Sequence, residues 1–390
     1  MSIRVDPTFL KEIKKYGAFD ISACFNCGNC TAVCPLSEGR DNFPRKMIRY
    51  SQLGLRDRLI ASKEFWLCYY CGECSDTCPR LAEPGEFMAS ARRYLISSFD
   101  LSGISRLLYT SKIFTAIFMI ILSGLFSLVL LYDKGAMELA TPAMFQFITF
   151  EIIHGLGLAV IAAAVIIALV GVLRMIKVMK GSLEYAQTEE KTDQKSSPLI
   201  SRLIPAVKNV AAELAVLKRY RDCEEEPKPP WYISHWFIHW TIMWGFIGLL
   251  VATSLDYLLM MVADKIPAQP DHLWYPTRML GNVAGLVLMY GTSLAIIYRF
   301  TKPDKYYSHS LLSDWLFLWL LFLEGLTGFI VELAIYLPTG TIWGYVIFFV
   351  HVVIGMEIVV LLPFTKFAHA VYRPLALLIY NLSNSIENPK

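Results

Sequence analysis

The sequence predicts an all-α membrane protein in which a polar helical domain precedes a bundle of six membrane-crossing helices. Three observations predict it. The 390-residue chain is 55% hydrophobic with a mean hydropathy of +0.46, too apolar for an ordinary water-soluble domain. Its apolar residues gather in long runs after residue 112, each able to supply the ~20 residues that a spanning helix needs. Eight of the nine cysteines lie ahead of those runs, in residues 1–98. The net charge of +3 is small and the basic residues are spread through loops, so nothing points to nucleic acid.

Residues 1–98 carry two copies of one spacing: Cys24, Cys27, Cys30, Cys34-Pro35 and Cys68, Cys71, Cys74, Cys78-Pro79. Each reads C-x2-C-x2-C-x3-C-P, the run that holds a cubane [4Fe–4S] cluster in two-cluster ferredoxins, where the fourth cysteine ligates the other cluster. The expected ligand sets are therefore Cys24, Cys27, Cys30 and Cys78 for one cluster, and Cys68, Cys71, Cys74 and Cys34 for the second. A zinc site would pair two knuckles and has no use for the further cysteines. A disulfide framework would need export, and the start MSIRVDPTFLKEIKK lacks an apolar signal core. Between the copies, FPRKMIRYSQLG reads as a short amphipathic helix with Met47, Ile48 and Leu53 inward and Gly54 as its stop. EFMASARRYLI (86–96) reads as a second helix, which favours a helical ferredoxin-like domain over a small β-rich one.

The six spans are expected at 113–131, 148–173, 232–260, 279–300, 313–337 and 342–365, the last continuing as helix beyond the interface. They divide the remainder into a first pair of spans (99–173), a loop (174–230) and four further spans (231–390). Lys and Arg set the orientation. The 174–230 loop carries 11 of them, 299–308 carries Arg299, Lys302 and Lys305, and the tail carries Lys366, Arg373 and Lys390. The opposite loops hold Lys134, Lys265 and Arg278. Both termini and the cysteine domain are thus expected on the cytoplasmic side of the inner membrane. Within the long loop, the charged EEKTDQKSSP precedes LISRLIPAVKNVAAELAVLKRY, whose apolar stripe predicts an interfacial or partner-docking helix. Cys223 follows as an incidental thiol.

Ionisable residues inside a bilayer are costly and mark function. His154 opens the second span, His235 and His239 open the third, and His351 and His369 lie on the sixth. With no cysteine among them, two b-type haems with paired axial histidines are the natural use. Depth pairs His154 with His351 near the outer face, and His239 (or His235) with His369 near the inner one. On one continuous helix, the 18 residues from His351 to His369 would be five turns, ~27 Å along a single face.

HVVIGMEIVVLLPFTKFAHAVYRP (351–374) resembles the last transmembrane helix of the gamma subunits of respiratory nitrate reductases, which supplies one ligand to each of two b haems. FIHWTIMWGFIGLL (237–250) resembles that family's other ligand helix, with His239 at the first ligand position and Leu249 where the second would stand. His154 is the replacement expected for that missing ligand, and His235 a supporting histidine. CFNCGNCTAVCP and WLCYYCGECSDTCP resemble the small iron–sulfur subunit of heterodisulfide reductases. A fusion of the two is similar to the haem- and cluster-bearing membrane component of the quinone-interacting membrane-bound oxidoreductase complexes of sulfate reducers.

The resemblance implies oxidation of menaquinol from the quinone pool. Electrons would pass to cytoplasmic flavin and iron–sulfur subunits of the same complex, and eventually to adenylylsulfate reductase. The sequence has no glycine-rich nucleotide fingerprint, so acceptor chemistry is expected on other chains. A quinone site needs a proton-exchanging group within the lipid-embedded part. Glu151 and Glu357 are the candidates, with Glu324 and Glu332 behind them. Trp236, Trp240 and Trp244 form an i, i+4, i+8 stripe expected to pack. Two alternatives stand beside this reading: a membrane component of a heterodisulfide-reductase-like complex, and an anchor whose clusters alone carry electrons.

Overall fold

The computed structural model describes residues 4–37, 43–132, 134–135, 137, 147–189, 199–222, 229–262, 274–302, 309–336 and 342–387. It is all-helical, with no strand among the described residues. The cysteine domain comprises α1 (Phe9–Lys14), α2 (Asn29–Ala32), α3 (Arg45–Gln52), α4 (Arg56–Ile60), α5 (Glu64–Leu67), α6 (Glu73–Asp76) and α7 (Pro84–Phe99). The two helices expected here are α3 and α7. In α3, Met47 and Ile48 are buried as expected, but Leu53 is 42% exposed because the helix has already ended at Gln52. Gly54 turns the chain at a φ of +69, close against the Asp6 backbone.

A short α8 (Ile104–Thr110) leads to α9 (Lys112–Leu131) and α10 (Phe150–Glu189), followed by α11 (Leu199–Val216) and α12 (Lys218–Asp222). The remaining helices are α13 (His235–Val262), α14 (Pro276–Thr301), α15 (Leu312–Tyr336), α16 (Trp343–Leu361) and α17 (His369–Glu387). Six of these (α9, α10, α13, α14, α15 and α16) are long and apolar enough to cross a membrane. Their outer faces carry exposed Ile113, Ile120, Leu128, Ile166 and Leu173, a surface that suits hydrocarbon rather than water.

Two boundaries differ from expectation. The sixth span does not continue as one helix: α16 ends at Leu361, a single 3-10 turn spans Lys366–Ala368, and α17 begins at His369. Pro363 has no N–H to donate and its ring collides with the carbonyl four residues back. The Val359 carbonyl that loses this donor accepts from the Leu362 N–H at 3.3 Å, and the Leu361 carbonyl accepts from the Thr365 N–H at 3.1 Å and its hydroxyl at 2.9 Å. The arithmetic placing His351 and His369 on one straight face therefore fails. The second span, by contrast, overruns its predicted end. Arg174, Lys177 and Lys180 mark the edge of hydrocarbon without breaking a helix, and α10 runs on to Glu189. Its extension inserts Met175 and Met179 into a core shared with Phe65, Trp66, Phe87 and Phe99 of the cysteine domain and Tyr372 and Ala376 of α17. The cysteine domain is joined to the bundle by common packing.

The α13–α14 hairpin supplies a rigid support. A Cβ at Gly245 would lie 2.6 Å from the Leu288 backbone nitrogen, and one at Gly291 2.3 Å from the Thr241 hydroxyl. The two backbones meet at distances that only glycine allows.

Candidate functional site

The two cysteine runs fold alike. Cys24 and Cys68 each end a short helix in extended conformation. Asn26 and Tyr70 both take left-handed φ values (64° and 63°), and Gly28 and Gly72 follow at 96° and 91° to start α2 and α6. These glycines reverse the chain at the same point of each run, with Cys30 buried and Cys27 left exposed. One cavity is lined by Cys68, Cys71 and Cys74 of the second run together with Cys34 of the first, with Gly72 and Met88 among its walls. Burial pushes the Cys34 thiol up to about 12, and Cys68 and Cys71 add to it. Burial likewise pushes Cys30 up to about 11, with Cys24, Cys27 and Cys78 contributing. Each run's fourth cysteine thus sits in the field of the other run. None of the eight is joined in a disulfide. Among the described residues, no three His, Cys, Asp or Glu side chains converge closely enough for a single metal ion.

The histidines fall into two groups. His239, on the first turns of α13, and His369, at the start of α17, face each other with ring centroids 6.2 Å apart and planes at 81°. Two metal–nitrogen bonds of about 2 Å plus half a ring on either side give about 6 Å between centroids, so the spacing of this pair would let both rings hold one iron. The Nδ1 of His369 donates to the Lys366 carbonyl. Burial and neighbouring His239 hold its ring down to about 3, so it is neutral and keeps the Nε2 lone pair. The Nδ1 of His239 is buried without a partner.

His154 and His351 lie on adjacent helices α10 and α16, but their rings are not in contact. His154 Nδ1 meets the Phe150 carbonyl at 2.8 Å, and its ring stacks on Tyr257 at 4.9 Å. His351 Nδ1 lies 3.0 Å from the Thr327 hydroxyl, which itself donates to the Leu323 carbonyl and so accepts from the ring. His351 Nε2 is 3.6 Å from Glu324 Oε1. In all three oriented histidines Nδ1 is the donor, so Nε2 is the ring nitrogen that would take a metal. His235 opens α13 one turn before His239.

The candidate carboxylates differ in surroundings. Glu151 is exposed on α10. Glu357 is buried and accepts from Ser123 of α9. Glu324 has one oxygen buried without a partner. Glu332 is held by Arg278 at 3.0 Å and Asn282 at 3.1 Å, which ties it to structure. The tryptophan stripe has a specific task. The indole N–H groups of Trp236, Trp240 and Trp244 donate to the carbonyls of Val216, Ala215 and Ala215, closing the C-terminus of α11. That helix packs inward through Ala206 and Val210 and leaves Ile204 and Val207 exposed, as its stripe predicts. Cys223 lies outside the described residues.

Two connections join the cysteine loops to the inner histidine pair, and sequence reasoning found neither. Tyr70, inside the second run, donates to Glu86 at 3.1 Å, and Glu86 accepts from Arg93 at 3.0 Å. Arg93 reaches Asp314 of α15 at 3.0 Å, Asp314 accepts from Lys366 at 2.8 Å, and the Lys366 carbonyl orients His369. A second path is aromatic. Tyr69 follows Cys68 and packs 5.4 Å from Tyr220, which lies 5.5 Å from His239. Asp314 at the mouth of an apolar run was a visible signal; its partners were not.

Residues 20–81 match the family model described as a 4Fe-4S dicluster domain. Among curated proteins, the chain is 24% identical over 155 residues to the E-type subunit of the dihydromethanophenazine:CoB–CoM heterodisulfide reductase of Methanosarcina mazei, covering 37% of this chain and 58% of the relative. It is 37% identical over 101 residues to an Archaeoglobus profundus protein that is itself described as like the C-type subunit of heterodisulfide reductase, covering 24% and 54%. It is 33% identical over 63 residues to the C-type subunit of the H(2):CoB-CoM heterodisulfide,ferredoxin reductase of Methanothermobacter thermautotrophicus, covering 16% and 34%. The chain thus spans about half, or less, of the length of the curated relatives it matches. No solved structure matches it.

Proposed function

We propose that this chain is the membrane subunit of a respiratory oxidoreductase complex, exchanging electrons between menaquinol and cytoplasmic flavin and iron–sulfur subunits, towards adenylylsulfate reductase. Two b haems and two [4Fe–4S] clusters, when bound, supply the one-electron carriers between a two-electron quinol and its acceptor. The observation that carries the reading is the facing pair His239 and His369, one tyrosine pair away from the loop of Cys68.

In this reading Cys24, Cys27, Cys30 and Cys78 hold one cluster, and Cys68, Cys71, Cys74 and Cys34 the other. His239 and His369 hold the inner haem, and His154 and His351 the outer one. Lys366, Phe150 and Thr327 fix the ring orientations of His369, His154 and His351 by taking Nδ1–H. Glu357 and Glu151 are the candidates for exchanging the quinol protons. Both termini and the cluster domain face the cytoplasm, following the Lys and Arg bias of the loops. The first run is the exit: Cys27 is exposed, and Phe25 beside it and Leu81 three residues after Cys78 offer an exposed apolar rim to a partner protein.

Absorption and EPR spectra of the purified protein during a redox titration with a quinol analogue test the reading. Expected are two b-type α-bands and two cubane signals, all reduced by quinol. A dithionite-reduced sample with no α-band leaves only the anchor alternative. The names of the relatives favour a second reading, a membrane component of a heterodisulfide-reductase-like complex. Disulfide reduction by the complex, with adenylylsulfate reductase left oxidised, would select it.

A further inference from the structure

Arg373 is a buried cation whose counter-charge is not among the described residues. It lies four residues after His369 on α17, so both side chains share one face of that helix. The residue is 9% exposed, and its Nε and Nη2 are buried without hydrogen-bond partners. Its guanidinium carbon sits 3.7 Å from the centroid of the Tyr69 ring, which covers one face of the cation and leaves the in-plane N–H donors unused. A buried guanidinium with unused donors calls for an anion, and a planar fork recognises carboxylates bidentately.

We propose that Arg373 is the binding site for a propionate carboxylate of the haem held between His239 and His369. The inference rests on the haem reading above and adds to it a group that fixes the haem's rotation. The His369–Arg373 spacing sets the cation beside one of the two histidines. The competing anion is the second cluster, whose thiolates include Cys68.

The test is reconstitution of membranes from haem-deficient cells with haem or with haem dimethyl ester, whose propionates are blocked. The wild-type chain is expected to favour free haem by about 10- to 100-fold at one of its two sites, as loss of a charge-assisted hydrogen bond implies. Arg373→Gln is expected to lose that preference, and Arg373→Lys to keep part of it. In a redox titration, Arg373→Gln is expected to lower the midpoint of one haem and leave the other haem and both cluster signals unmoved. If the ester preference and both haem midpoints match the wild type in Arg373→Gln, the proposal is overturned. A shift confined to a cluster signal also overturns it and assigns the cation to the cluster. A wild-type sample without any α-band would instead remove the haem reading itself, so the two failures are distinct.

Discussion

The two ends of the bundle prepare their histidines differently. At the end that carries the cluster domain, His239 and His369 already face each other, and ion pairs, aromatic contacts and a shared core bind them to the cysteine loops. At the far end, His154 and His351 are each oriented by their own helix neighbourhood, with Tyr257 beside one and Glu324 beside the other. The difference follows from what surrounds each end. The cluster end has a second layer of protein to cross-brace it, namely α7, α11, α12 and the extension of α10. The far-end histidines depend on contacts within the spans alone. A bundle welded at one end keeps that pair's spacing in the folded chain, while the other pair relies on what binds between its helices.

The weld is the first thing to break. Asp314 is 2% exposed and accepts from both Arg93 and Lys366. Asp314→Ala leaves Lys366 without its anion and Arg93 with Glu86 alone, and is expected to cost the low end of about 3–5 kcal/mol. Thermal unfolding of the solubilised protein reads this as a large drop in Tm. The cluster-end haem should also be lost or become heterogeneous in the α-band, with the far-end haem retained. An unchanged Tm would mean that the polar chain between the two domains contributes nothing to holding them together.

The histidines themselves come next. His239→Ala and His369→Ala are each expected to remove the same haem, about half of the α-band absorbance, with both cluster signals intact. His154→Ala and His351→Ala are expected to remove the other. Should His154→Ala leave both bands in place, the far-end partner of His351 is a different residue, and the contrast between the two ends deepens.

How much of this was legible follows from the range of each interaction. The cysteine spacing is local, so the runs 24–34 and 68–78, which lie within the matched dicluster domain, were readable residue by residue. Which span carries His154, His239 and His351 was readable from the apolar runs, because a bilayer fixes their lengths. The break between Leu361 and His369 was legible in Pro363, yet the repeat of apolar residues on both sides masked it. The Arg93–Asp314 ion pair joins residues 221 positions apart. No period or spacing announces such a pair, since it exists only once α7 has docked on α15. Tyr220 and Arg373 were hidden for the same reason: each is an ordinary residue at a cytoplasmic-looking edge until the fold sets it beside His239 or Tyr69.

A smaller effect separates orientation from ligation at the far end. Thr327→Val keeps the shape beside His351 but removes the oxygen that accepts from Nδ1. Losing a group that orients a metal ligand typically costs about 10- to 100-fold in affinity. The far-end haem should therefore be retained in freshly purified protein but lost more readily on dilution, while the cluster-end band is unaffected. Equal loss of both bands would show that the two ends are not independent.

The smallest effect tests the bracing layer. Trp240 and Trp244 both donate to the Ala215 carbonyl, and Trp236 donates to that of Val216, so three indoles of α13 close one end of α11. Since Ala215 keeps a donor when either of its two tryptophans is replaced, Trp244→Phe removes one hydrogen bond without leaving an orphaned acceptor. The expected loss is at the low end of about 0.5–1.5 kcal/mol, a shift in Tm of a degree or two with both haem bands unchanged. The double variant Trp240→Phe with Trp244→Phe strips the carbonyl of both donors, so its cost should exceed the sum of the single ones. Strict additivity would mean that the stripe acts only by packing. Super-additivity would identify it as the cap that pins α11, and with it Tyr220, against the cluster end of the bundle.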